Sequence, residues 1–400
     1  MRDFNFLCPT QLIVGKGTEM QTGKWVKQYG GTRVLVHHDS GYAKQCGLVD
    51  KVIQSIKDEG LIVFELGGVV PNPRLSKIYE GIELGKKENI DFIIAVGGGS
   101  VIDSAKGIGI GIPYDGNVWD FYLEVDGKWK AVPEKAVPKG VILTMPASGS
   151  ELSFSTVVTK EDEQLKRFCD NDLNRPLFAI EDPELTMSLS KFQTACGILD
   201  IMSHSIERYF TKDKGNELTD RLCEAIFLTC LDCGRVLVDD PTDYDARASV
   251  MVAGSLSHNG LTGMGRQDDW ASHFLEHELS GEFDVTHGVG LAVIIPAWMK
   301  YVYKENEEIF VKFATRVMGC TMDYDKPERT ILEGISRFEL FIQTLGLETR
   351  ISKIKDMPEV TEEIMWKMSK RVRVNNDIGT IGWFKKLSYQ DMVNIYKLAL

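Results

Sequence analysis

The sequence lacks an apolar run long enough to cross a membrane. A spanning helix needs about 18 or more consecutive apolar residues, and no stretch of this chain approaches that length. The opening residues, MRDFNFLCPTQLIVGKG, contain no apolar segment of signal-peptide length, because Pro9 and Gly15 interrupt them. We therefore expect neither a transmembrane helix nor a secretory signal, and we expect a cytoplasmic location.

Positive charge is also in deficit. The chain carries 46 Lys and Arg against 58 Asp and Glu, a net charge of −12. Nucleic acids and anionic membranes attract proteins through positive surface fields. The composition therefore argues against nucleic acid and against membrane as partners, and it favours a small diffusing substrate.

Cysteine is sparse, with eight residues scattered over 400. This usage is typical of buried thiols in a reducing cytosol and argues against a disulfide framework. Cys230 and Cys233 form a C-x-x-C pattern, but the segment around them has helical periodicity and no second pair lies near it. We interpret both as small packing residues rather than as a redox or zinc motif.

Proline is scarce in the second half of the chain, where only four of the 13 prolines follow residue 190. Proline is excluded from helix interiors, so this shift indicates a change of fold class. Before it, short apolar runs alternate with amphipathic helical segments, which predicts a doubly wound, mostly parallel, Rossmann-like α/β sheet. The predicted strands are residues 33–38, 61–66, 91–96, 140–145 and 176–182.

After residue 187 the pattern becomes helical throughout. Ser190 and Gln193 have the spacing of a capping box at the start of a long helix. About eight or nine further amphipathic helices follow, with no convincing strand. We therefore predict an α/β domain over residues 1–187 and an all-α domain over residues 188–400, with the active site in the cleft between them.

A glycine cluster follows the predicted strand at residues 91–96. Gly97, Gly98 and Gly99 precede Ser100 at the start of a helix. Glycines let a ligand approach the backbone closely, and a helix N-terminus attracts anions. The Gly-Lys-Ser/Thr of a Walker A loop is missing, so the pattern favours a dinucleotide pyrophosphate over a kinase or ATPase site. A tight turn without a ligand is the alternative.

Asp39 directly follows the first predicted strand, residues 33–38. A carboxylate there can accept hydrogen bonds from both ribose hydroxyls of an adenosine and repels a 2′-phosphate, which favours NAD(H) over NADP(H). The alternative is an ordinary turn residue before Gly41.

Histidine is concentrated in one segment. Residues 268–290, DDWASHFLEHELSGEFDVTHGVG, hold three of the seven histidines within 15 positions. Asp200 and His204, four apart on a predicted helix, share one helix face. With His273 and His287 they would offer one carboxylate and three imidazoles, a set that suits Fe²⁺ or Zn²⁺. A solvated helix face and a helix-entry histidine are the alternatives.

The same segment also fits the H-x-x-E-H signature of a metallopeptidase class, with His273 and His277 as ligands and Glu276 as the base. This interpretation leaves the glycine cluster and the Asp200/His204 pair unexplained.

Taken together, these motifs resemble those of the iron-containing alcohol dehydrogenases, in particular the subgroup of butanol dehydrogenases and broad-range aldehyde reductases. The similarity covers residues 5–310, and it rests on PTQLIVGKG, GVVPNPRLS, VGGGSVIDSAK, TMPASGSE, GILDIMSHSIERY, DDWASHFLEHEL and HGVGLAVIIP. Their architecture, shared with dehydroquinate synthase-like proteins, matches the two predicted domains.

The resemblance implies roles for individual residues. It assigns the metal ligands as Asp200, His204, His273 and His287. It places His277 near the nicotinamide as a proton relay and treats Glu276 as incidental to the metal chemistry. It assigns cofactor contacts to Asp39, Gly97, Gly98, Gly99, Ser100, Asp103, Thr144 and, in a loop of variable length, Lys166.

The implied function is reversible hydride transfer between a primary alcohol, butanol-like or a small diol, and NAD. The metal, Fe²⁺ or alternatively Zn²⁺ or Ni²⁺, would act as a Lewis acid on the substrate oxygen. A homo-oligomer is also implied. The alternatives are a polyol dehydrogenase or dehydroquinate-synthase-like lyase of the same fold, the metallopeptidase, and a non-catalytic metal or nucleotide sensor.

Overall fold

The computed structural model describes residues 1–39, 41–125, 127–372 and 379–400. The chain forms two compact units, one of Cys8–Ser188 and one of Met1–Leu7 with Leu189–Leu400. The sequence placed residues 1–7 in the α/β domain, whereas the structure packs them with the helical unit. The cause is local: the terminal ammonium donates to the Lys214 carbonyl at 2.6 Å, and Arg2 pairs with Asp213 at 2.7 Å.

A six-stranded sheet forms the centre of the first unit, with every neighbouring pair of strands parallel. Its strands are β1 (Gln11–Val14), β2 (Arg33–Asp39), β3 (Ile62–Val69), β4 (Phe92–Gly97), β7 (Lys139–Leu143) and β10 (Phe178–Glu181). Their order across the sheet is β1-β10-β7-β4-β2-β3. The predicted fold class is confirmed, and each of the five predicted runs overlaps a strand of this sheet.

The sequence did not predict the edge strand β1 or two small antiparallel pairs. These pairs are β5 (Glu124–Val125) with β6 (Lys128–Trp129), and β8 (Ser155–Lys160) with β9 (Leu165–Asp170). Each element is short or mixes polar and apolar residues, so it has no continuous apolar run of the kind that marks a buried parallel strand.

Five helices belong to this unit within the described residues: α1 (Thr22–Gln28), α2 (Tyr42–Gln45), α3 (Leu48–Asp58), α4 (Leu75–Glu88) and α5 (Gly99–Gly111). The core between α3 and the sheet includes Val52 and Ile56 against Val34 and Ile94, all fully buried. Strand β4 is buried along its whole length, as expected for a strand covered on both faces.

The chain reverses its direction of travel across the sheet between β2 and β4. It moves from β2 outward to β3 and then returns to place β4 on the other side of β2. His38 pairs with Val96 across these two strands, so Asp39 and Gly97 follow at the same edge. Ligands of open α/β sheets bind at such a switch point, beyond the carboxyl ends of the strands.

The second unit is helical. The described residues contain the helices α6 (Lys191–Tyr209), α7 (Glu217–Asp239), α8 (Tyr244–Ser257), α9 (Ala271–Phe283), α10 (His287–Val302), α11 (Glu307–Lys312), α12 (Pro327–Thr344), α13 (Glu362–Arg371) and α14 (Tyr389–Ala399). The predicted capping box is present at Ser190 and Gln193. Helix α6 is buried from Thr194 onward, and α9 and α10 pack in the same core. These three helices carry the predicted metal ligands.

Candidate metal centre and nucleotide cradle

Helix α6 presents Asp200 and His204 one turn apart, and both side chains are buried. His204 Nδ1 lies 3.5 Å from Asp200 Oδ1. Their spacing of four residues places them on one helix face, as the sequence predicts.

The other two predicted ligands come from the next helices of this core. His273 lies in the first turn of α9. Asp200, His204 and His273 each offer one possible ligand atom, and these three atoms lie within 4.8 Å of one another. His287 begins α10, and its Nε2 lies 3.6 Å from Asp200 Oδ1. The structure therefore brings all four residues together around the Asp200 carboxylate.

A buried glutamate orients His273. The Nδ1–H of His273 donates to Glu207 Oε1 at 2.7 Å, and the same oxygen accepts the Ser272 hydroxyl and, at 3.0 Å, the His273 amide. A hydrogen bond of this kind fixes the imidazole tautomer and leaves Nε2 as the ligand atom. Glu207 lies within the GILDIMSHSIERY motif, but the sequence analysis did not assign it a role.

A second buried glutamate contacts His287. The Nδ1–H of His287 donates to Glu276 Oε2, and the Ser280 hydroxyl donates to Glu276 Oε1. This contact differs from the expectation that Glu276 is incidental to the metal chemistry. Gly290 permits it, because a β-carbon there would lie 2.7 Å from Glu276 Cγ.

The charges of the site fit a bound cation. Burial, followed by the nearby imidazole of His258, holds the pKa of His204 well below its usual value, so this imidazole is in the neutral, metal-binding form. Around it lie three buried carboxylates, those of Asp200, Glu207 and Glu276. A buried carboxylate is unfavourable without compensating charge, and a divalent cation held by these donors would supply it.

His277 lies beside the cluster rather than in it. Its ring centre is 6.3 Å from that of His273 and 5.8 Å from that of His287. His277 belongs to a second set of possible ligands, together with Glu276 and His287. Its role as a proton relay stays a prediction.

An aromatic wall of the site is formed by Trp270, which lies in the DDWASHFLEHEL motif, and by His258, which the sequence analysis missed. The ring of His258, just after α8, lies 4.2 Å from that of His204. Trp270 has a left-handed backbone (φ 63°) before α9, and its ring lies 5.1 Å from His273. Side chains held in such strained backbone positions cluster at functional sites. Only the tertiary packing brings these rings together.

The glycine cluster forms a cradle at the start of α5. An added β-carbon would lie 2.5 Å from Val101 Cγ2 at Gly97 and 2.4 Å from Ser148 Oγ at Gly99. At Gly98 the nearest atom would be Met145 Cβ at 3.2 Å. The neighbouring side chains therefore leave little space for a β-carbon at these three positions, and the turn presents bare backbone at the N-terminus of α5, a position that attracts anions.

The three other predicted cofactor contacts, Thr144, Asp103 and Lys166, are buried. The Thr144 amide donates to the Gly97 carbonyl at 3.1 Å and so fixes the turn. The buried Asp103 carboxylate accepts the Ser150 hydroxyl at 2.6 Å and the Val157 amide at 3.0 Å. Lys166 is buried in strand β9 rather than placed in the loop that the sequence suggested. Their contacts with a cofactor stay predictions.

Asp39 lies at the carboxyl end of β2, half-buried. Its Oδ1 accepts the Gly41 amide at 2.9 Å, the contact that an ordinary turn residue would make. One carboxylate oxygen therefore organises the turn beside the cradle.

Within the described ranges, no helix combines the length and the apolar composition that crossing a bilayer requires.

Two family models match the chain. The model described as "Iron-containing alcohol dehydrogenase" matches residues 9–183, and "Fe-containing alcohol dehydrogenase family, C-terminal" matches residues 194–400. The fold and the site are those of a two-unit protein with a parallel α/β sheet and a helical unit that carries a buried cluster of possible metal ligands. The chain belongs to the iron-containing alcohol dehydrogenase family. It is an NAD(P)-linked oxidoreductase that interconverts an alcohol and an aldehyde.

Several characterised relatives extend along nearly the whole chain. NADH-dependent butanol dehydrogenase A of Clostridium acetobutylicum is 36% identical over 401 residues, covering 99% of each protein. NADPH-dependent aldehyde reductase YqhD of Escherichia coli is 33% identical over 353 residues, covering 88% of this chain and 89% of the reductase. The crystal structure of NADH-dependent butanol dehydrogenase A from Thermotoga maritima superposes with a TM-score of 0.93 at 34% identity, covering 100% and 99%.

Proposed function

We propose that this protein is an NAD-preferring, metal-dependent reductase of small aldehydes that also oxidises the corresponding primary alcohols, with butanol-like compounds or small diols as substrates. The observation that carries the proposal is the convergence of His204, His273 and His287 on the buried Asp200 carboxylate. Similarity to butanol dehydrogenases over nearly the full chain supports the substrate class.

We assign the ion to Asp200, His204, His273 and His287, and we favour Fe²⁺ over Zn²⁺ or Ni²⁺ because of the family's name. A divalent metal supplies Lewis acidity at the substrate oxygen, which eases loss of the alcohol proton and polarises the aldehyde carbonyl. Asp200 provides one formal negative charge to this donor set. Three imidazoles provide the rest, and among them burial, followed by the nearby His258, holds the pKa of His204 well below its usual value.

We assign the cofactor to the cradle of Gly97, Gly98 and Gly99, where the helix N-terminus would hold the pyrophosphate. The nicotinamide provides the hydride chemistry. The preference for NADH rests on Asp39, whose position beside β4 at the switch point suits a ribose hydroxyl and repels a 2′-phosphate. The relatives do not decide the preference, because their names include NADH-dependent and NADPH-dependent enzymes.

His277 is assigned a separate task. It lies next to the cluster and is half-buried, a position that suits transfer of the substrate proton towards solvent or the cofactor ribose. A homo-oligomeric state and a cytoplasmic location stay predictions.

The rival functions fit less well. A metallopeptidase would need Glu276 as a base acting on water, but this carboxylate is buried and accepts hydrogen bonds from His287 and Ser280. A polyol dehydrogenase or a lyase of the same fold would share the cradle and the ion, so turnover must separate them from the proposed enzyme.

The test is oxidation of NADH with butanal, with NADPH in parallel, before and after removal of metal by a chelator and restoration with Fe²⁺ or Zn²⁺. We expect metal-dependent oxidation of NADH and much weaker oxidation of NADPH. A preference for NADPH would contradict only the role of Asp39. No oxidation of either cofactor with any restored metal would contradict the proposed reaction and favour the lyase or sensor.

The ligand assignment has its own test. His273→Ala is expected to lose metal and activity together, whereas His277→Ala is expected to keep the metal and lose rate. The reverse result, with metal lost only in His277→Ala, would overturn the assignment.

A further inference from the structure

Two glutamates that are not assigned as ligands are fully buried beside the proposed ion. Glu207 and Glu276 both have 0% of their surface exposed. Each accepts the Nδ1–H of a different ligand histidine, His273 and His287 respectively. The two carboxylates lie on different helices, α6 and α9, so they are independent contributions to the same cluster.

The environment of Glu207 is not that of a carboxylate placed for fold stability alone. Its Oε1 accepts hydrogen bonds from Ser272 and from the amide and ring of His273. Its Oε2 is buried and has no hydrogen-bond partner among the residues that the structure describes. A buried carboxylate oxygen without a hydrogen bond is unfavourable, unless a nearby positive charge compensates the negative charge of the carboxylate.

The histidine nitrogens that the glutamates leave available lie near Asp200, one directly and the other beside Ser203. With Nδ1 bound, His287 presents Nε2 at 3.6 Å from Asp200 Oδ1. His273 presents Nε2 at 3.5 Å from Ser203 Oγ, and that hydroxyl lies 3.3 Å from Asp200 Oδ1. The glutamates therefore determine the direction in which two of the three imidazoles offer their ligand atoms.

We infer that Glu207 and Glu276 are positioning residues that set how tightly the ion is held, through His273 and His287. Each carboxylate fixes the tautomer of its imidazole and, by accepting the Nδ1 proton, makes Nε2 a stronger donor. This inference rests on the ligand assignment of the proposed function.

Glutamine is the appropriate replacement at both positions. In Glu207→Gln the new amide oxygen can accept the same donors as the Oε1 atom that it replaces. In Glu276→Gln the amide oxygen can accept from His287 while its NH₂ donates to Ser280, whose hydroxyl also contacts the Val285 carbonyl at 3.0 Å. The shape of the site is kept and the negative charge is removed.

Glu278 provides a matched control on the same helix. It is 3% exposed, and its carboxylate pairs with Arg371 Nε at 2.5 Å rather than with a ligand histidine. Glu278→Gln therefore removes a buried negative charge from α9 without removing one from the cluster.

The experiment measures the affinity of the full-length protein for Co²⁺ alone, by competition with a chromophoric chelator, together with the visible absorption of the Co²⁺ complex. We expect Glu207→Gln and Glu276→Gln each to lower the affinity by about 10- to 100-fold and to shift the Co²⁺ absorption. Glu278→Gln should change neither. The spectrum reports the ligand field, which a general loss of stability would not alter in a folded complex.

A milder variant covers the case in which the glutamine variants do not fold. Ser280→Ala removes one hydrogen bond to Glu276 and leaves both charges, so a smaller loss of affinity in the same direction is expected. Unchanged affinity and spectrum in the three variants at positions 207, 276 and 280 would overturn the inference, as would an equal loss in Glu278→Gln. A wild-type protein that binds no Co²⁺ would overturn the proposed metal centre itself.

Discussion

The two units prepare their binding sites with different parts of the chain. In the α/β unit the cradle is made of backbone, because the three glycines of residues 97–99 leave the start of α5 bare. In the helical unit the site is made of side chains, four assigned ligands supported by two buried glutamates. On the proposed assignments, an anion would contact peptide groups, and a cation would contact carboxylate and imidazole.

This difference teaches where each site is vulnerable. A backbone site fails when a side chain is added, and a side-chain site fails when one is removed. Changes in one unit should leave the ligand of the other unit bound, provided that the fold is kept.

The largest expected effect is that of Asp200→Ala. Loss of the only carboxylate in the assigned ligand set should remove the ion. The transition state then loses several kcal/mol of stabilisation, and the rate should fall on the order of a thousandfold. NADH should still bind, because the cradle is unchanged. Metal content by elemental analysis and NADH titration by fluorescence check both parts. Loss of NADH binding together with the metal would break the comparison.

The second effect is that of Gly99→Ala. The new methyl group would lie 2.4 Å from Ser148 Oγ and 3.1 Å from Ser148 Cβ, so Ser148 or the turn itself must move, and NADH affinity should fall by about 10- to 100-fold. Metal content should not change. Gly98→Ala is the graded control, since its nearest neighbour would be at 3.2 Å, and its loss should be smaller. An equal or larger loss in Gly98→Ala would contradict the steric explanation.

The third prediction concerns a histidine of the α/β unit that has a structural role. His37 is buried, its Nδ1–H donates to the Leu66 carbonyl at 2.9 Å, and its Nε2 accepts from Ser104 at 2.8 Å. Burial chiefly, with His38 and Lys77 adding to it, lowers its pKa to about 4. The unfolded chain, with an ordinary pKa near 6.5, binds the proton first as pH falls.

The neutral His37 therefore makes its full contribution to the free energy of unfolding above a pH of about 6.5, and this contribution is lost as the pH falls towards 4. Between pH of about 7 and about 5 the loss should be about 2 kcal/mol. Amide hydrogen exchange of β2 and β4 in the full-length protein measures it. His37→Gln should flatten this part of the pH dependence, and an unchanged slope in that variant would assign the effect elsewhere.

The smallest expected effect is that of Asp39→Gly. Removal of the carboxylate should shift the ratio of kcat/KM for NADH and NADPH towards NADPH by about tenfold, or about 1.4 kcal/mol. Metal content should stay constant. The assay is the reduction of butanal with each cofactor, and an unchanged ratio would mean that Asp39 acts only in its turn, through Gly41.

The same contrast explains how much could be predicted from the sequence. Five of the six strands of the parallel sheet and the glycine cluster are local patterns, and the sequence predicts them where the structure has them. The four assigned ligands come from segments up to 87 positions apart, Asp200 to His287, and an interpretation of spacing alone left alternatives open until the family motifs were compared.

Other features have no local signal. Glu207 is one of many acidic residues on amphipathic helices, and only the packing of α6 against α9 places it on His273. His258 meets His204 in the same way. The placement of residues 1–7 with the helical unit depends on contacts with the loop of residues 213–214, which lies more than 200 positions along the chain.

Gly290 has a consequence for how such chains can diverge. Glu276 occupies the space that a side chain at position 290 would need, because a β-carbon there would lie 2.8 Å from Glu276 Oε1. A related chain with a small residue at position 276 would leave a void that a larger residue at position 290 could fill. The two positions should therefore change together in descent, and one that changes alone leaves either an overlap or a cavity.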